Sequence, residues 1–452
     1  MTNILAAVSA PSGMWASLIN WIHGWVGGGY GWTILVLIVL VKLVLSPLDY
    51  LIKHTSKKTS LIQQKCAPQV AKLRKKYANN QQMLQQQTQM LYKREGNNMW
   101  GSCIVMLVNL VLTMVIFFTL FSGLRKLSSY QAIEQYDTLR VTYERTASLS
   151  YIQDGAIQKS IADKISKGEA LTEAEQTALD NALTAYYNDM KAVKKGADYT
   201  PAEGEEELPA FAEAEPRYKQ ANEAAGKAVQ KQWDSVKQNW LWIKNIWVTD
   251  GHKNPFPDFK SLKSMAESSK KDDYKNYVYA IEKDSEKMTV FNNISNSIEA
   301  ETGSWNGYYL LAIISVLLSV ASQYISDLSN KSRNKKARSV ADAANPQGMS
   351  VKLMKLMLPI IMAIFVLTTN SAFGIYVITN SLMSIVIAAV INLIINAVFK
   401  KRQEEVDEIL AKEAERLAKK GNKQNYAQAA AAQQNYRQPL GGIDQSRFKR
   451  KK

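Results

Sequence analysis

The sequence predicts an all-α fold, that of a polytopic membrane protein with five transmembrane helices. Apolar residues gather in five runs, most of them long enough to cross the hydrocarbon core of a bilayer. The connections between these runs differ sharply in charge, as expected for segments on opposite sides of a membrane. The polar remainder has the spacing of amphipathic helices, so we do not expect strands.

The predicted spans divide the chain into nine segments. The spans are Trp32–Pro47, Ile104–Phe121, Tyr308–Ile325, Leu356–Thr369 and Gly374–Phe399. The segments are 1–31, an N-terminal interfacial helix; 32–52, the first span; 53–99, a helical hairpin; 100–124, the second span; 125–305, a helical insert; 306–326, the third span; 327–353, a loop; 354–399, the fourth and fifth spans; and 400–452, a basic tail. The fourth span is short for a full crossing at about 1.5 Å per residue.

The net charge of +16 is distributed very unevenly along the chain. Segment 53–99 carries 10 Lys and Arg against 1 acid, 327–355 carries 7 against 2, and 400–452 carries 14 against 7. The insert is acidic, because 127–305 carries 22 basic residues against 29 acidic ones. The positive-inside rule therefore predicts that the hairpin, the loop and the tail are cytoplasmic, and that the N-terminus and the insert lie outside. We expect the N-terminus to be retained, since it lacks the basic region and cleavage site of a secretory signal.

Amphipathic helices flank the first span. Residues Met14–Val26 are rich in Trp and space large apolar residues at helical intervals, so we expect a helix in the outer membrane interface that ends at the glycines 27–29. After the span, Thr55–Tyr77 and Gln81–Arg94 have the pattern of two helices with a basic, glutamine-rich face. This hairpin is expected to lie against the cytoplasmic membrane surface.

The insert and the tail also contain helix-forming stretches. In the insert they are Thr172–Lys195 and Tyr218–Lys237, separated by the acidic, proline-containing stretch Thr200–Pro216. The tail begins as a charged helix, Lys401–Lys420, and is low in complexity after Gly421, where we expect disorder.

The sequence contains no pattern typical of covalent chemistry. Cys66 and Cys103 imply no disulfide framework, and the three histidines have no ligand spacing around them. A glycine-rich phosphate loop is absent as well. We therefore expect no metal, no cofactor and no enzymatic activity.

Lys42 is the most informative polar residue of the sequence. It lies near the middle of the first span, too deep for its ammonium group to reach the interface easily. A central charge costs about 2.5–3.5 kcal/mol on insertion scales unless it faces a polar or wet cavity. In the structural alternative, Lys42 pairs with an acid such as Asp49 or reaches the interface through a thinned bilayer. We favour a functional role, because intramembrane charges are rare and usually functional.

Polar side chains recur in the other spans and could line such a cavity. The candidates are Asn109 and Thr113 in the second span, Ser319 and Gln323 in the third, and Tyr376 and Asn380 in the fifth. Residues of this kind are more often contacts between helices than the lining of a cavity. Together with Lys42 they indicate a bundle with a partly hydrated, positively charged interior. That interior would suit an insertase, a solute transporter or a channel.

Two stretches beside the first and second spans carry motifs of a known family. Residues 31–47, GWTILVLIVLVKLVLSP, contain a basic residue five positions before a proline. Residues 91–103, LYKREGNNMWGSC, contain Leu-Tyr-Lys, Glu-Gly, Asn and Gly-x-Cys in that order. These stretches resemble the first core span and the end of the hairpin in the YidC/Oxa1/Alb3 insertase family.

Further motifs follow in the order of the family. Trp240–Trp242 resembles its motif outside the third span, Tyr308–Gln323 its third span, Leu358–Pro359 the start of its fourth, and 375–385 its fifth. Lys42 stands where the family usually has Arg, so point-charge attraction remains but bidentate pairing is lost. We expect no large N-terminal periplasmic domain of the kind that Gram-negative members have, and the departures from the family pattern resemble Gram-positive or wall-less bacterial members.

The resemblance implies a hydrophilic groove, enclosed by the five spans, that is open to the cytoplasm and to lipid and closed outside. Lys42 and the six candidates above would line it and bind substrate, and Lys42 would attract the polar end of a nascent membrane protein. The implied activity is insertion and folding of new membrane proteins in the bacterial cell membrane, alone or with the Sec translocon. The basic tail would contact the ribosome or, equally, anionic lipids; DNA is not an expected partner.

Overall fold

The structure is a computed structural model that describes residues 8–96, 99–200, 207–251, 254–298, 304–328 and 349–419. Within these ranges the regular secondary structure is α-helical, apart from two isolated β-bridges, which confirms the predicted all-α class. The helices are α1 (Met14–Val26), α2 (Tyr30–Lys76), α3 (Gln81–Arg94), α4 (Met99–Leu149), α5 (Gly155–Lys167), α6 (Glu173–Lys195), α7 (Phe211–Val236), α8 (Phe259–Ser268), α9 (Asp272–Glu282), α10 (Ser285–Ser297), α11 (Leu310–Leu328), α12 (Met349–Thr368), α13 (Ser371–Val398) and α14 (Lys400–Lys419).

The chain divides into two compact units, which are described separately below. Unit 1 consists of Met1–Val44, Leu112–Val320 and Met357–Met383. Unit 2 consists of Leu45–Val111, Ala321–Leu356 and Ser384–Lys452. Most of the predicted loop 327–353 and the tail after Lys419 lie outside the described residues.

The five predicted spans all lie in apolar helices. Among the described residues, three helices are long and apolar enough to cross a membrane: α2, α4 over Leu107–Leu149, and α13. Two shorter apolar helices are Leu310–Ile325 within α11 and Pro359–Thr368 within α12. The fourth span lies at the end of α12, a helix of 20 residues that begins at Met349.

Helix α2 joins two elements that the sequence analysis predicted separately. The predicted first span ended at Pro47 and the first hairpin helix began at Thr55, whereas α2 is a single helix of 47 residues with Pro47 and Pro68 inside it. Proline is tolerated in such helices because other groups satisfy the backbone atoms that it frees, and hydrocarbon disfavours opening the helix. Helix α4 likewise continues without a break from the second span into the insert.

Helix α1 has the predicted bounds and an amphipathic surface. Ile19 and Ile22 are buried, while the rings of Trp21 and Trp25 lie 4.5 Å apart on the exposed side. The helix ends at Gly27, whose φ of 63° is the left-handed conformation that glycine adopts most readily. A Trp-rich exposed face is typical of a helix at a membrane interface.

The insert has its own hydrophobic core within unit 1. The second half of α4 packs there against α6 to α10, around Tyr136, Tyr186, Trp233 and Phe291. Val8, near the N-terminus, is also part of this core. Helix α6 begins at the predicted place, because Thr172 and Glu175 form a reciprocal capping box.

The core of the insert also encloses ionised side chains. Arg140 on α4 donates hydrogen bonds to Asp137 at 2.9 Å and to Glu144 at 2.6 Å, and all three side chains are almost fully buried. Tyr277 adds a hydrogen bond from its hydroxyl to Asp137 at 2.9 Å. Tyr187 likewise donates to Glu144 at 2.9 Å. These bonds offset part of the cost of removing the charges from water.

Unit 2 contains the hairpin and the tail helix. Helix α3 has the predicted bounds and begins after Asn80, whose side chain accepts a hydrogen bond from the Met83 amide. Its residues Leu91 and Tyr92 pack on the second half of α2 around Cys66. Helix α14, predicted to begin one residue later, packs on α2 through Val406 and Leu410 against Ala67.

Candidate functional site

Residues 240–251 in unit 1 form a segment that we call the tryptophan loop. It begins with a tight turn in which Trp240 and Ile243 exchange backbone hydrogen bonds of 2.9 Å. Its aromatic side chains meet the start of α2, since Trp32 lies edge-on to Trp240 with ring centroids 5.9 Å apart. Tyr30 contacts Trp247 in the same way at 5.2 Å.

The ends of other apolar helices bind the backbone of the tryptophan loop. At the start of α13, the amides of Ser371 and Ala372 donate to the carbonyl oxygens of Val248 and Ile246, at 2.8 and 2.9 Å. On α4, the Ser128 hydroxyl donates to the Trp247 carbonyl at 2.8 Å. Asn370, at the turn after α12, forms a β-bridge with Thr249. The loop therefore fixes the relative positions of helix ends that are far apart in sequence.

Two buried asparagines hold the tryptophan loop to the segment before α11. The Asn306 side chain accepts from the Asn245 amide and donates to the Asn245 carbonyl, both at 2.8 Å. The Asn245 side chain in turn donates to Gln135 at 3.1 Å and to the Pro255 carbonyl at 2.9 Å. Both asparagines are fully buried. If one of these hydrogen bonds were lost, its donor and acceptor would be buried without a hydrogen-bond partner, because water cannot reach them.

A second hydrophobic core of unit 1 lies where the five apolar helices adjoin the tryptophan loop. Its buried helical members include Ile34, Leu37 and Ile38 on α2, Leu120, Leu124 and Leu127 on α4, Leu311 and Ala312 on α11, Val366 on α12, and Phe373, Tyr376 and Val377 on α13. We call this set the apolar cluster. Since α2, α11 and α13 run away from the loop while α4 and α12 run toward it, the remainder of each helix lies beyond the cluster.

Four of the predicted site residues lie on the side of the apolar cluster away from the tryptophan loop. Lys42 is four residues beyond Ile38, Thr113 four before Phe117 and Asn380 four beyond Tyr376, each a step of about 6 Å along its helix. Ser319 is seven residues beyond Ala312, about 10 Å. The four polar residues, from four helices, thus each lie about 6 to 10 Å along their helix from a residue of the cluster or of its edge.

The surroundings of these residues differ. Lys42, Ser319 and Asn380 are half-buried and Thr113 is exposed. Lys42 and Asn380 both interact with other groups of the structure. Lys42 is also the only Lys, Arg, Asp or Glu within the five predicted spans.

The remaining three predicted site residues are placed differently. Tyr376 is buried in the apolar cluster, where its ring packs 5.5 Å from that of Phe373 and 6.2 Å from that of Phe117. Asn109 and Gln323 are half-buried and belong to unit 2. Tyr376 is thus a member of the apolar cluster, whereas Lys42 lies beyond that cluster along α2.

Asp250, in the tryptophan loop, caps the start of α11. One carboxylate oxygen accepts a hydrogen bond from the Leu311 amide at 2.9 Å, while the other is buried without a partner among the described residues. Burial raises the pKa of Asp250 to about 6, and hydrogen bonds from the backbone of residues 309, 311 and 312 oppose this shift. The carboxylate is therefore costly to keep ionised at neutral pH.

This pKa predicts a pH dependence of stability. Because the folded-state pKa of Asp250 is raised above its unfolded value of 3.8, the folded form binds its proton more tightly, and stability should increase as the pH falls from 7.5 through 6. We therefore expect the melting temperature of the detergent-solubilised protein to rise over the same pH range. Asp250→Asn, which cannot ionise, should lose that part of the pH response, and equal responses of both proteins would contradict the assignment.

The sequence analysis did not identify Asn245, Asp250 or Asn306. A signal was present, because the stretches 240–247 and 305–307 combine Trp with Asn or Gly in a polar insert. Such residues could not be paired from the sequence, since Asn245 and Asn306 are 61 positions apart. Within the described residues, no three His, Cys, Asp or Glu side chains are grouped as metal ligands would be.

These helices define the class of the protein as an all-α, multi-pass membrane protein with a large helical insert. Residues 21–153 match the sequence model of the family described as 60Kd inner membrane protein, which is the YidC/Oxa1 family. The predicted family resemblance is therefore confirmed over the first two apolar helices, the hairpin and the start of the insert. No solved structure matches the chain.

Curated relatives with a common name are similar to part of the chain. The chain is 36% identical over 114 residues to the "Membrane protein insertase YidC" of Clostridium perfringens, covering 24% of this chain and 46% of the relative. It is 31% identical over 106 residues to the protein of that name from Aromatoleum aromaticum, covering 24% and 18%. For Stenotrophomonas maltophilia the identity is 36% over 104 residues, covering 23% and 17%. The chain thus spans less than half the length of the curated relatives it matches.

Proposed function

We propose that this chain is a membrane protein insertase, which integrates newly made membrane proteins and helps them fold without catalysing covalent chemistry. The observation that carries the proposal is the position of Lys42, the single charge of the apolar spans, directly below the apolar cluster. Polar side chains of α4, α11 and α13 likewise lie beyond the cluster along their helices. A bundle that is tightly packed beside the insert and carries these polar groups further along its helices suits a groove closed on the side of the insert.

In this mechanism, Lys42 attracts the acidic or polar end of an incoming chain and shortens its path through low dielectric. The apolar segment of the substrate then moves along α11 and α13 into lipid. Burial of about 20 apolar residues supplies the driving force, so no nucleotide or other cofactor is required. We assign Thr113, Ser319 and Asn380 to the groove on their positions beyond the apolar cluster, Tyr376 as its boundary with the cluster, and Asn109 and Gln323 on their predicted helix faces.

The proposed topology has the N-terminus and the insert outside and the hairpin, the loop and the tail in the cytoplasm. Its support is the charge distribution together with contacts of the N-terminal segment. Ser9 donates hydrogen bonds to Asp273 through its amide at 3.0 Å and its hydroxyl at 2.6 Å, and Tyr274 donates to the Ser9 carbonyl at 3.0 Å. Such contacts support a topology in which the N-terminus and the insert share one side of the membrane.

The proposed partners are nascent membrane proteins, the ribosome, the Sec translocon and anionic lipids. The charge of the tail is unevenly divided, because α14 carries 6 basic and 6 acidic residues whereas residues 420–452 carry 8 and 1. A polyanionic partner such as ribosomal RNA is therefore assigned to the residues after α14 and to the basic hairpin.

Reconstitution separates this function from that of a transporter or channel. Liposomes containing the purified full chain should protect a newly synthesised small membrane protein from protease, while protein-free liposomes and liposomes with Lys42→Glu should not. Solute uptake or ion conductance without insertion would assign the polar interior to a transporter or channel instead.

A further inference from the structure

An open cleft with a volume of about 370 Å³ lies in unit 1 beside the tryptophan loop. One wall is the stretch of α4 just beyond its apolar part, and the opposite wall is a face of α8. The tryptophan loop and the turn between α12 and α13 complete it. The volume is in the range of ordinary small-molecule sites. No proposed step of insertion uses this cleft.

The lining of the cleft is positively charged. It includes Arg125 on α4 and Lys260 on α8, and none of the lining residues is Asp or Glu. In the described part of the chain neither cation forms an ion pair; Arg125 lies over the ring of Phe121 at 5.1 Å. Asp258 is occupied as the cap of α8, where it accepts from the Ser261 amide at 2.7 Å. An anion in the cleft would therefore meet two cations without a lining carboxylate.

The cleft also contains unused hydrogen-bond donors. The hydroxyls of Ser128 and Ser129 donate to backbone carbonyls, at 2.8 Å to Trp247 and at 2.8 Å to Met265, so their protons are occupied. By contrast, the hydroxyls of Thr249, Ser261 and Ser264 make no hydrogen bond within the described ranges, although all three line the cleft. Phosphate oxygens, which only accept hydrogen bonds, fit this set of donors.

The cleft lies at the depth expected for lipid headgroups. Arg125 is four residues beyond Phe121, the last residue of the second predicted span, which is about 6 Å along the helix. On the apolar side of the cleft, Phe121 contacts Phe365 with ring centroids 6.5 Å apart. The surface continues there with exposed Phe118 and Phe365, 59% and 39% accessible. A free phosphate or a soluble nucleotide would leave these rings uncovered, whereas acyl chains would cover them.

We propose that this cleft binds the phosphate of an anionic phospholipid in the leaflet on the side of the insert. Arg125 and Lys260 neutralise the phosphate, the three hydroxyls donate to its oxygens, and the acyl chains lie against Phe118 and Phe365. The bound lipid would connect α8 of the insert to α4 and to the turn before α13. This site is independent of the insertase function, and its test does not measure insertion.

The test is native mass spectrometry of the full chain in detergent with dioctanoyl phosphatidylglycerol, with dioctanoyl phosphatidylcholine and with inorganic phosphate. We expect one tightly retained phosphatidylglycerol and weaker retention of phosphatidylcholine, whose choline would lie near the two cations. The double variant R125Q/K260Q should bind phosphatidylglycerol about 30-fold more weakly, because it loses both contacts between a cationic side chain and the anionic headgroup.

The matched control is R145Q/K159Q, which removes two exposed cations of the insert outside the cleft. It should retain phosphatidylglycerol like the unmodified protein, and both double variants should keep its melting temperature, since all four side chains are exposed. Equal lipid affinity of the two double variants would overturn the proposal. Displacement of phosphatidylglycerol by millimolar inorganic phosphate would also overturn it, because the cleft would then be a site for a free anion.

Discussion

Lys42→Glu is expected to abolish insertion and to prevent growth when it replaces the essential insertase of a depleted strain. In the proposed mechanism the variant puts a negative charge where the polar end of an incoming chain passes, so attraction becomes repulsion. We expect the insertion rate to fall at least tenfold, which corresponds to about 1.4 kcal/mol or more in the activation free energy. The measurement is growth together with protease protection of a small, acidic-tailed membrane protein.

Three further variants separate charge from structure at this position. Lys42→Arg should keep near-normal activity, because it keeps the positive charge, and Lys42→Ala should be intermediate. Lys159→Glu makes the same charge reversal on the exposed surface of the insert and should have no effect. Each protein should first be shown to accumulate and to melt like the unmodified chain. Full growth of Lys42→Glu would exclude the electrostatic mechanism.

Arg140→Met is expected to destabilise the insert by about 3–5 kcal/mol. Arg140 lies between Asp137 and Glu144, and the side chains of the three residues are 7%, 0% and 6% accessible. Removing the cation leaves two buried carboxylates without a counter-charge. Hydrogen exchange of the full chain in detergent should show faster exchange of the amides of α6 and α7, which share the core with α4.

The control for this prediction is Lys275→Met. Lys275 pairs with Asp272 at 3.3 Å, but the aspartate is 90% accessible, so the pair is screened by water. Its loss should cost no more than about 1 kcal/mol. If Arg140→Met and Lys275→Met accelerate exchange equally, then the buried charges do not stabilise the insert in the way inferred here.

Local sequence signals predicted the helices well where a strong start or stop was present. Helix α1, ended by Gly27, and α3, begun by Asn80, have the predicted bounds. Pro47 was a misleading signal, because proline ends helices in water but is tolerated in a helix that crosses hydrocarbon. The start of α7 at Phe211 was missed because the stretch up to Pro216 was interpreted as a break between helices, whereas Pro216 lies inside α7.

The candidate site was predicted in part. Lys42 was identifiable because a single charge in an apolar run is unusual at any depth, and its depth followed from counting residues along the helix. The polar residues of the other helices could be proposed but not positioned, since helical periodicity says which residues share a face and not which helices are neighbours.

The sequence by itself determined the helical class, the five apolar spans, the asymmetry of charge and the resemblance to the insertase family. These depend on composition and on spacing within about 20 residues, the length of one span. Only the tertiary structure decided how the helix ends are held, because the tryptophan loop binds them through backbone atoms. Contacts such as Ser371 to Val248, 123 positions apart, leave no periodic trace in the chain. That Lys42, Thr113, Ser319 and Asn380 all lie beyond the apolar cluster along their helices also follows from that packing.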